Sequence, residues 1–258
     1  MDKPRVKDYR ALLRRLASLL VFPDKQLQVI AEISANDQVY PVLKISLKMG
    51  SSGKKKALIS AGIHGDEPSG VETVCAFLER GEFKRFERDW EITLLPCLNP
   101  FGFEYATRKN HEKKDLNRLF KCQPPPREIV PIQQILNRPF DLTLELHEDS
   151  DSPGYYLFQR AETDSKRSLG RRILDEVEKT MTLNLNGKIE GMPANRGLIE
   201  WASDSDTMKW WPMAVYAASR GSRFCFTLET ASGFPMNARV DAHLTAIRTA
   251  FDRFPGSN

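Results

Sequence analysis

Disulfide candidates, long apolar runs and internal repeats are all scarce in this chain of 258 residues. Its four cysteines, Cys75, Cys97, Cys122 and Cys225, lie far apart with no C-x-x-C pair. Three of them sit inside apolar runs and read as reduced, buried thiols rather than as a disulfide framework. No window approaches the roughly 18 uncharged apolar residues of a membrane span. The highly charged segment Met1 to Arg15 lacks the apolar core of a signal peptide. Lys and Arg (38) nearly balance Asp and Glu (34), leaving +4, with no basic stripe interleaved with aromatics. Nucleic-acid and membrane partners are therefore not expected, and the reading is a cytoplasmic protein whose oligomeric state is unspecified.

What is present is ordinary globular composition, 41% hydrophobic and 28% charged. Leu12, Leu13, Leu16, Leu19 and Leu20 at helical spacing predict a first helix over 8–20. Gln38–Leu47 and Lys56–Ile63 read as strands, joined by a turn at 49–53. The lysine triplet at 54–56 reads as a solvated strand entry. A helix with Val71, Val74, Cys75 and Leu78 on one face, stopped by Gly81, follows. Trp90–Leu98 is an expected strand that breaks at Asn99-Pro100, opening a long charged loop over 99–120. A helix near 127–137, strands at Phe140–Leu146 and Tyr155–Gln159, and a helix over 165–181 come next. A second long loop at 187–209, a helix at 210–219, a strand at Arg223–Leu228 and a closing helix at 237–253 complete the pattern.

Strands alternating with helices predict one α/β domain over 1–258: an α/β/α sandwich with a twisted, mostly parallel mixed sheet. Residues 1–50 would supply the first helix and strands, about 55–235 the motif-bearing core, and 237–254 the closing helix. In such folds ligands bind at the carboxyl ends of strands. Three chemically notable side chains fall there: His64 after one strand, His147 after another and Glu229 at the end of a third.

An imidazole and a carboxylate three residues apart, His64 and Glu67 in G-I-H-G-D-E-P-S-G, can hold a zinc ion above a sheet. Asp66 is a rival to Glu67 on spacing alone. Pro68 disfavours helix at Glu67, so the stretch should be a loop preceding a helix. Of the other histidines, His111 lies in the charged loop and His243 in the last helix, whereas His147 ends an apolar strand. A metal hydrolase also needs a base, and Glu229 in F-T-L-E-T is a carboxylate whose burial would raise its pKa usefully. Of Arg108 and Arg118 in the charged loop, one could grip a carboxylate, with Asn117 adding a donor, and a second near the metal could stabilise an oxyanion, while Asp115 could accept the free ring N–H of a metal-bound histidine.

The ordered set H-G-D-E-P-S-G (64–70), N-P-F-G (99–102), D-L-N-R (115–118), the strand-end His147 and T-L-E-T (227–230) resembles the metallocarboxypeptidases, the carboxypeptidase A-like M14 zinc peptidases. The resemblance spans roughly 55–235. It implies one zinc ion on His64, Glu67 and His147, Asn117 and Arg118 on the substrate's terminal carboxylate, Arg108 on the scissile carbonyl, and Glu229 as general base then acid. Asp115 falls at the family's aspartate behind the first histidine. Leu119-Phe120 stand where the family often has Asn-Phe. The family's substrate-binding tyrosine would fall to Tyr216, or to Tyr155 or Tyr156 after His147.

The expected activity is zinc-dependent hydrolysis of an amide next to a free carboxylate in a small peptide. The alternative is N-acyl amino acid deacylation of the succinylglutamate desuccinylase/aspartoacylase type, which shares the metal set. Those relatives usually carry a further C-terminal β-rich domain, whereas one helix follows the Glu229 strand here, which favours the peptidase. A non-catalytic metal- or peptide-binding module is the third reading, disfavoured by the presence of Glu229. Trp201, Trp210 and Trp211 could wall a specificity pocket or simply pack.

Overall fold

The protein is described by a computed structural model covering residues 4–20, 25–47, 54–160, 168–201 and 208–255. Its elements in chain order are α1 (Tyr9–Ser18), β1 (Lys25–Ala35), β2 (Gln38–Leu47), β3 (Lys55–Ala61), α2 (Pro68–Glu79), β4 (Trp90–Leu95), α3 (Pro100–Tyr105), α4 (Ile129–Leu136) and β5 (Leu142–Asp149). Then come β6 (Tyr156–Arg160), α5 (Leu169–Val177), β7 (Lys188–Ile189), β8 (Met192–Asn195), β9 (Leu198–Trp201), α6 (Met213–Ser219), β10 (Phe224–Ala231) and α7 (Met236–Asp252).

The strands form one mixed sheet in the order β1-β2-β4-β3-β5-β10-β6-β9-β8-β7. Its centre, β4-β3-β5-β10, is parallel. The flanks are antiparallel except for β6 beside β9. Both β3 and β5 are buried on both faces; β3 carries the largely apolar run Ala57–Ala61, whereas β5 alternates Leu142, Leu144 and Leu146 with buried Thr143, Glu145 and His147. Where α2 crosses β5, a Cβ on Gly70 would lie 2.9 Å from Leu146 Cβ, so Leu146 faces α2. The pleat turns the next residue, His147, to the opposite face, where Asn117 and the start of α6 lie.

Several expectations change in physical detail. The strand β1 has no sequence forecast because it is a sheet edge with a run of four exposed residues, so the alternation that marks a strand is missing. It joins β2 through Asn36 and Asp37, both at positive φ (48° and 56°), as a tight hairpin requires. The stretch 99–120 is not structureless. Asn99 accepts a hydrogen bond from Gly102 N at 2.9 Å and Pro100 occupies the first helical turn, so the apparent breaker starts α3. Likewise 187–201 contains β7, β8 and β9, whose intervening turns use Gly191 and Gly197. The turn at 49–53, residues 165–167 of the helix expected over 165–181 and 202–207 of the expected loop lie outside the described residues. The helix α6 begins after Pro212, which serves as its N-cap residue.

All four cysteines are free thiols, Cys122 being exposed and the other three buried. Among the described residues, no helix is long and apolar enough to cross a membrane.

Candidate active site

Glu67 ends the loop after β3 and is the N-cap residue of α2, with φ −107° and ψ 73° ahead of Pro68. Pro68 stops the helix from extending back over 64–67, so these residues are free to fold over the carboxyl end of the sheet. Their placement depends on a close backbone approach. Gly65 N donates to Thr107 O at 3.0 Å, and a Cβ on Gly65 would lie 1.8 Å from Gly102 C. Gly65 of the H-G-D-E motif therefore lets its loop touch the main chain of Gly102 in α3. Gly65→Ala is expected to cost about 1–3 kcal/mol, by analogy with overpacking, and more if the two segments separate. The measurement is thermal melting with zinc titration: Tm should fall and zinc affinity should fall with it. An unchanged Tm would remove this account of the loop.

The approach delivers Glu67 between two imidazoles. His64 Nδ1 lies 2.7 Å from Glu67 Oε1, and His147 Nδ1 lies 2.7 Å from Glu67 Oε2. All three residues are buried, and one ligand atom from each lies within 4.8 Å of the others. Asp66 is exposed, so the fold rather than the spacing separates the two acids. Glu148 N donates to Glu67 Oε2 at 3.2 Å, and Arg108 Nη1 donates to Oε1 at 3.1 Å. Burial alone would raise the Glu67 carboxyl, but His147 and then His64 outweigh it and hold it well below the usual carboxylate range. Burial likewise opposes a charged His147, and Glu67 followed by Glu145 pulls that imidazole well above its ordinary value.

The opposite ring nitrogens have partners of their own. His64 Nε2 faces Asp115 Oδ1 at 3.1 Å, and Asp115 Oδ2 accepts from Arg108 Nε at 3.0 Å. Asn117 Nδ2 lies 3.4 Å from His147 Nε2, while Asn117 Oδ1 accepts from Met213 N at 2.9 Å. Asn117, expected on a substrate carboxylate, thus ties the start of α6 to His147 and keeps a second Nδ2–H to donate. The Asp115 carboxylate accepts the Nε2 hydrogen of His64 and so leaves its Nδ1 free to bind a metal.

Glu229 stands beside His147 through strand register, β10 and β5 pairing these two residues in parallel. The pleat therefore puts both side chains on one face. The half-buried Glu229 has its carboxyl pushed up to about 8 by burial, with Glu67 and Asp149 adding to the rise and His147 and Arg108 opposing it. On its other side β6 places Tyr156 in register with Glu229, the tyrosine hydroxyl donating to Asp149 Oδ2 at 2.9 Å. Tyr216 stands elsewhere: its ring packs against Phe120 and Trp211, and its hydroxyl accepts from Arg220 Nε at 3.3 Å. Arg118 is half-buried, donates to Asn117 O at 3.2 Å and lies over the Trp210 ring.

Sequence reading missed three buried groups around this cluster. Glu145 is fully buried, with neither oxygen hydrogen-bonded and Oε2 3.8 Å from His147 Nε2. An acid two residues before a strand-end histidine was the available signal. His243 Nε2 lies 3.2 Å from His147 O, and its Nδ1 lies 3.1 Å from the Tyr155 hydroxyl, so α7 braces the strand end. Glu148 joins Ser69 N at the start of α2 to Arg239 of α7. Nothing in sequence order pairs residues of α7 with this strand.

A family model described as the succinylglutamate desuccinylase/aspartoacylase catalytic domain matches residues 53–239. No curated protein matches the chain by sequence. Among solved structures, a Shewanella denitrificans OS217 protein assigned as a metallopeptidase aligns with a TM-score of 0.79 and 21% identity, covering 95% of this chain and 90% of that one. A metallo-carboxypeptidase from Burkholderia cenocepacia aligns with a TM-score of 0.72 and 15% identity, covering 96% and 70%. A metallo-carboxypeptidase from Pseudomonas aeruginosa, in complex with (2-guanidinoethylmercapto)succinic acid, aligns with a TM-score of 0.68 and 16% identity over 95% and 68%. At these identities the structural likeness is one of fold.

Proposed function

The chain belongs to the succinylglutamate desuccinylase/aspartoacylase catalytic-domain family, and on that premise we propose that it is a zinc-dependent hydrolase of an amide bond next to a free carboxylate, in a small peptide. The observation that carries this reading is the convergence of both Nδ1 atoms on the Glu67 carboxylate, with Glu229 in register beside His147. Two imidazole nitrogens and one carboxylate, all buried, with His64 held from behind by Asp115, are the donor set a catalytic zinc site needs. Zinc held by His64, Glu67 and His147 would supply Lewis-acid polarisation of the carbonyl and acidification of water.

The remaining chemistry falls to side chains. Glu229 takes a proton from water and returns it to the leaving nitrogen. Its raised carboxyl suits the second step, and a cation held by His64, Glu67 and His147 would favour its ionised form for the first. Arg108 is oriented by Asp115 and Glu67 and has N–H groups left over for a developing oxyanion. Arg118 holds the substrate carboxylate, with the second Nδ2–H of Asn117 as a further donor.

Removing the Arg118 side chain should lower kcat/KM for free-carboxylate substrates about 10–100-fold, the equivalent of roughly 1.5–3 kcal/mol for a charge-assisted hydrogen bond. Carboxamide-blocked substrates should be little affected. An equal loss on both would remove the clamp assignment.

The family match over 53–239 favours a second reading, deacylation of an N-acyl amino acid. Zinc-loaded protein assayed against C-terminal dipeptides, murein tripeptides and N-acyl amino acids separates the two. Turnover of N-acyl amino acids without peptide cleavage would replace the first reading by the second. No turnover from fully metallated protein would leave a binding module.

A further inference from the structure

We propose that Trp210 is a specificity-determining positioning residue, a flat platform that holds the Arg118 guanidinium with its N–H edge open to a planar carboxylate. This rests on Arg118 being the carboxylate clamp. The guanidinium carbon lies 3.9 Å from the Trp210 ring centroid, a stacking distance well inside the range of cation–π attraction. Stacking uses the face of the guanidinium. Its N–H donors lie in the plane and stay available for a two-pronged contact with a carboxylate.

Among the described residues Arg118 forms no ion pair within 4.0 Å, although it is half-buried, and one of its N–H groups is spent on Asn117 O. A partly desolvated cation whose carboxylate neighbours Asp115, Glu190 and Glu229 act only from beyond 4.0 Å, and which keeps N–H donors besides the one given to Asn117 O, is prepared for an anionic ligand. The platform also shares a frame with the metal cluster. Phe120 N donates to Trp211 O at 3.3 Å, Leu119 bridges Trp211, and Met213 N donates to the same Asn117 side chain that meets His147. The segment 210–213 is therefore fastened on both sides of the Arg118 turn, fixing the distance from clamp to cluster. Trp210 is itself 40% exposed, so its ring is little used by the core.

Calorimetric titration of succinate, with succinamide as the neutral control, into zinc-loaded wild type, Arg118→Ala, Trp210→Phe and Trp210→Leu provides the test. Trp210→Leu should weaken succinate binding about tenfold, as loss of a partly desolvated cation–π contact implies. Trp210→Phe should stay closer to wild type, and zinc content and Tm should not move. Unchanged or tighter succinate binding by Trp210→Leu would overturn the platform, tighter binding showing a cover instead. Equal weakening of succinamide would also overturn it. Arg118→Ala separates the two levels. If it loses succinate while Trp210→Leu does not, only the platform fails. If it retains succinate, or wild type binds none, the clamp fails and takes the platform with it.

Discussion

Glu229→Gln is expected to lower kcat by on the order of 10²–10⁴-fold, the usual contribution of a general acid–base group, while one equivalent of zinc is retained. Glutamine keeps the shape but can neither accept nor return a proton. Because the metal is proposed to sit on His64, Glu67 and His147, a group that could hold one, metal analysis of the variant should match wild type. Near-wild-type turnover would remove Glu229 as the base.

The same substitution should change stability in the opposite direction. The Glu229 carboxyl is raised to about 8 from an ordinary 4.5. The folded metal-free chain therefore binds this proton more tightly than the unfolded chain does. Stability falls with rising pH wherever the folded state binds more protons, so Glu229 becomes a progressive burden between about 4.5 and about 8. Metal-free Glu229→Gln lacks that burden, and its Tm should gain on wild type as pH rises through this window. Melts at both ends of the window check it, and a gap that does not widen would show that the carboxyl ionises freely in the fold. A group that costs stability in the resting protein is expected at a working site.

The second large effect is loss of the metal. Chelation should abolish hydrolysis and one equivalent of zinc should restore it. His147→Ala should weaken zinc binding by more than the roughly 10–100-fold typical of losing an outer partner of a ligand, because a donor atom itself disappears. In the metal-free chain His147 and Glu67 also stabilise each other. Glu67 is depressed, so its contribution is complete above the ordinary carboxylate value and is lost as pH falls through its folded value. His147 is raised, so its contribution is complete below the ordinary imidazole value and is lost as pH rises through its folded value. Between those ordinary values both are present, and metal-free His147→Ala should melt well below wild type there. Retained zinc affinity in His147→Ala would remove His147 from the metal set.

Much of this was legible along the chain because the relevant physics is local. The apolar run of β3 and the leucines repeating at every second position of β5 marked both as strands, and Pro68 marked the end of the His64–Glu67 loop. The strand-end positions of His147 and Glu229 then placed both at the carboxyl edge of a parallel sheet. Where local signals conflict, the reading failed. Asn99-Pro100 is a strand breaker and a helix start in the same two residues. The exposed edge β1 has no buried face to impose a period, so no pattern announced it.

By itself the sequence determined the α/β class, the parallel centre and the order in which the chemical groups arrive, since periodicity and punctuation act over a few residues. Only the tertiary structure decided between Asp66 and Glu67, by burying one and exposing the other. It also committed Asn117 to His147 and Met213, sent the Tyr216 hydroxyl to Arg220 and laid Trp210 under Arg118. Those outcomes depend on distances between segments far apart in the chain, and such distances are set by packing, which no local pattern encodes.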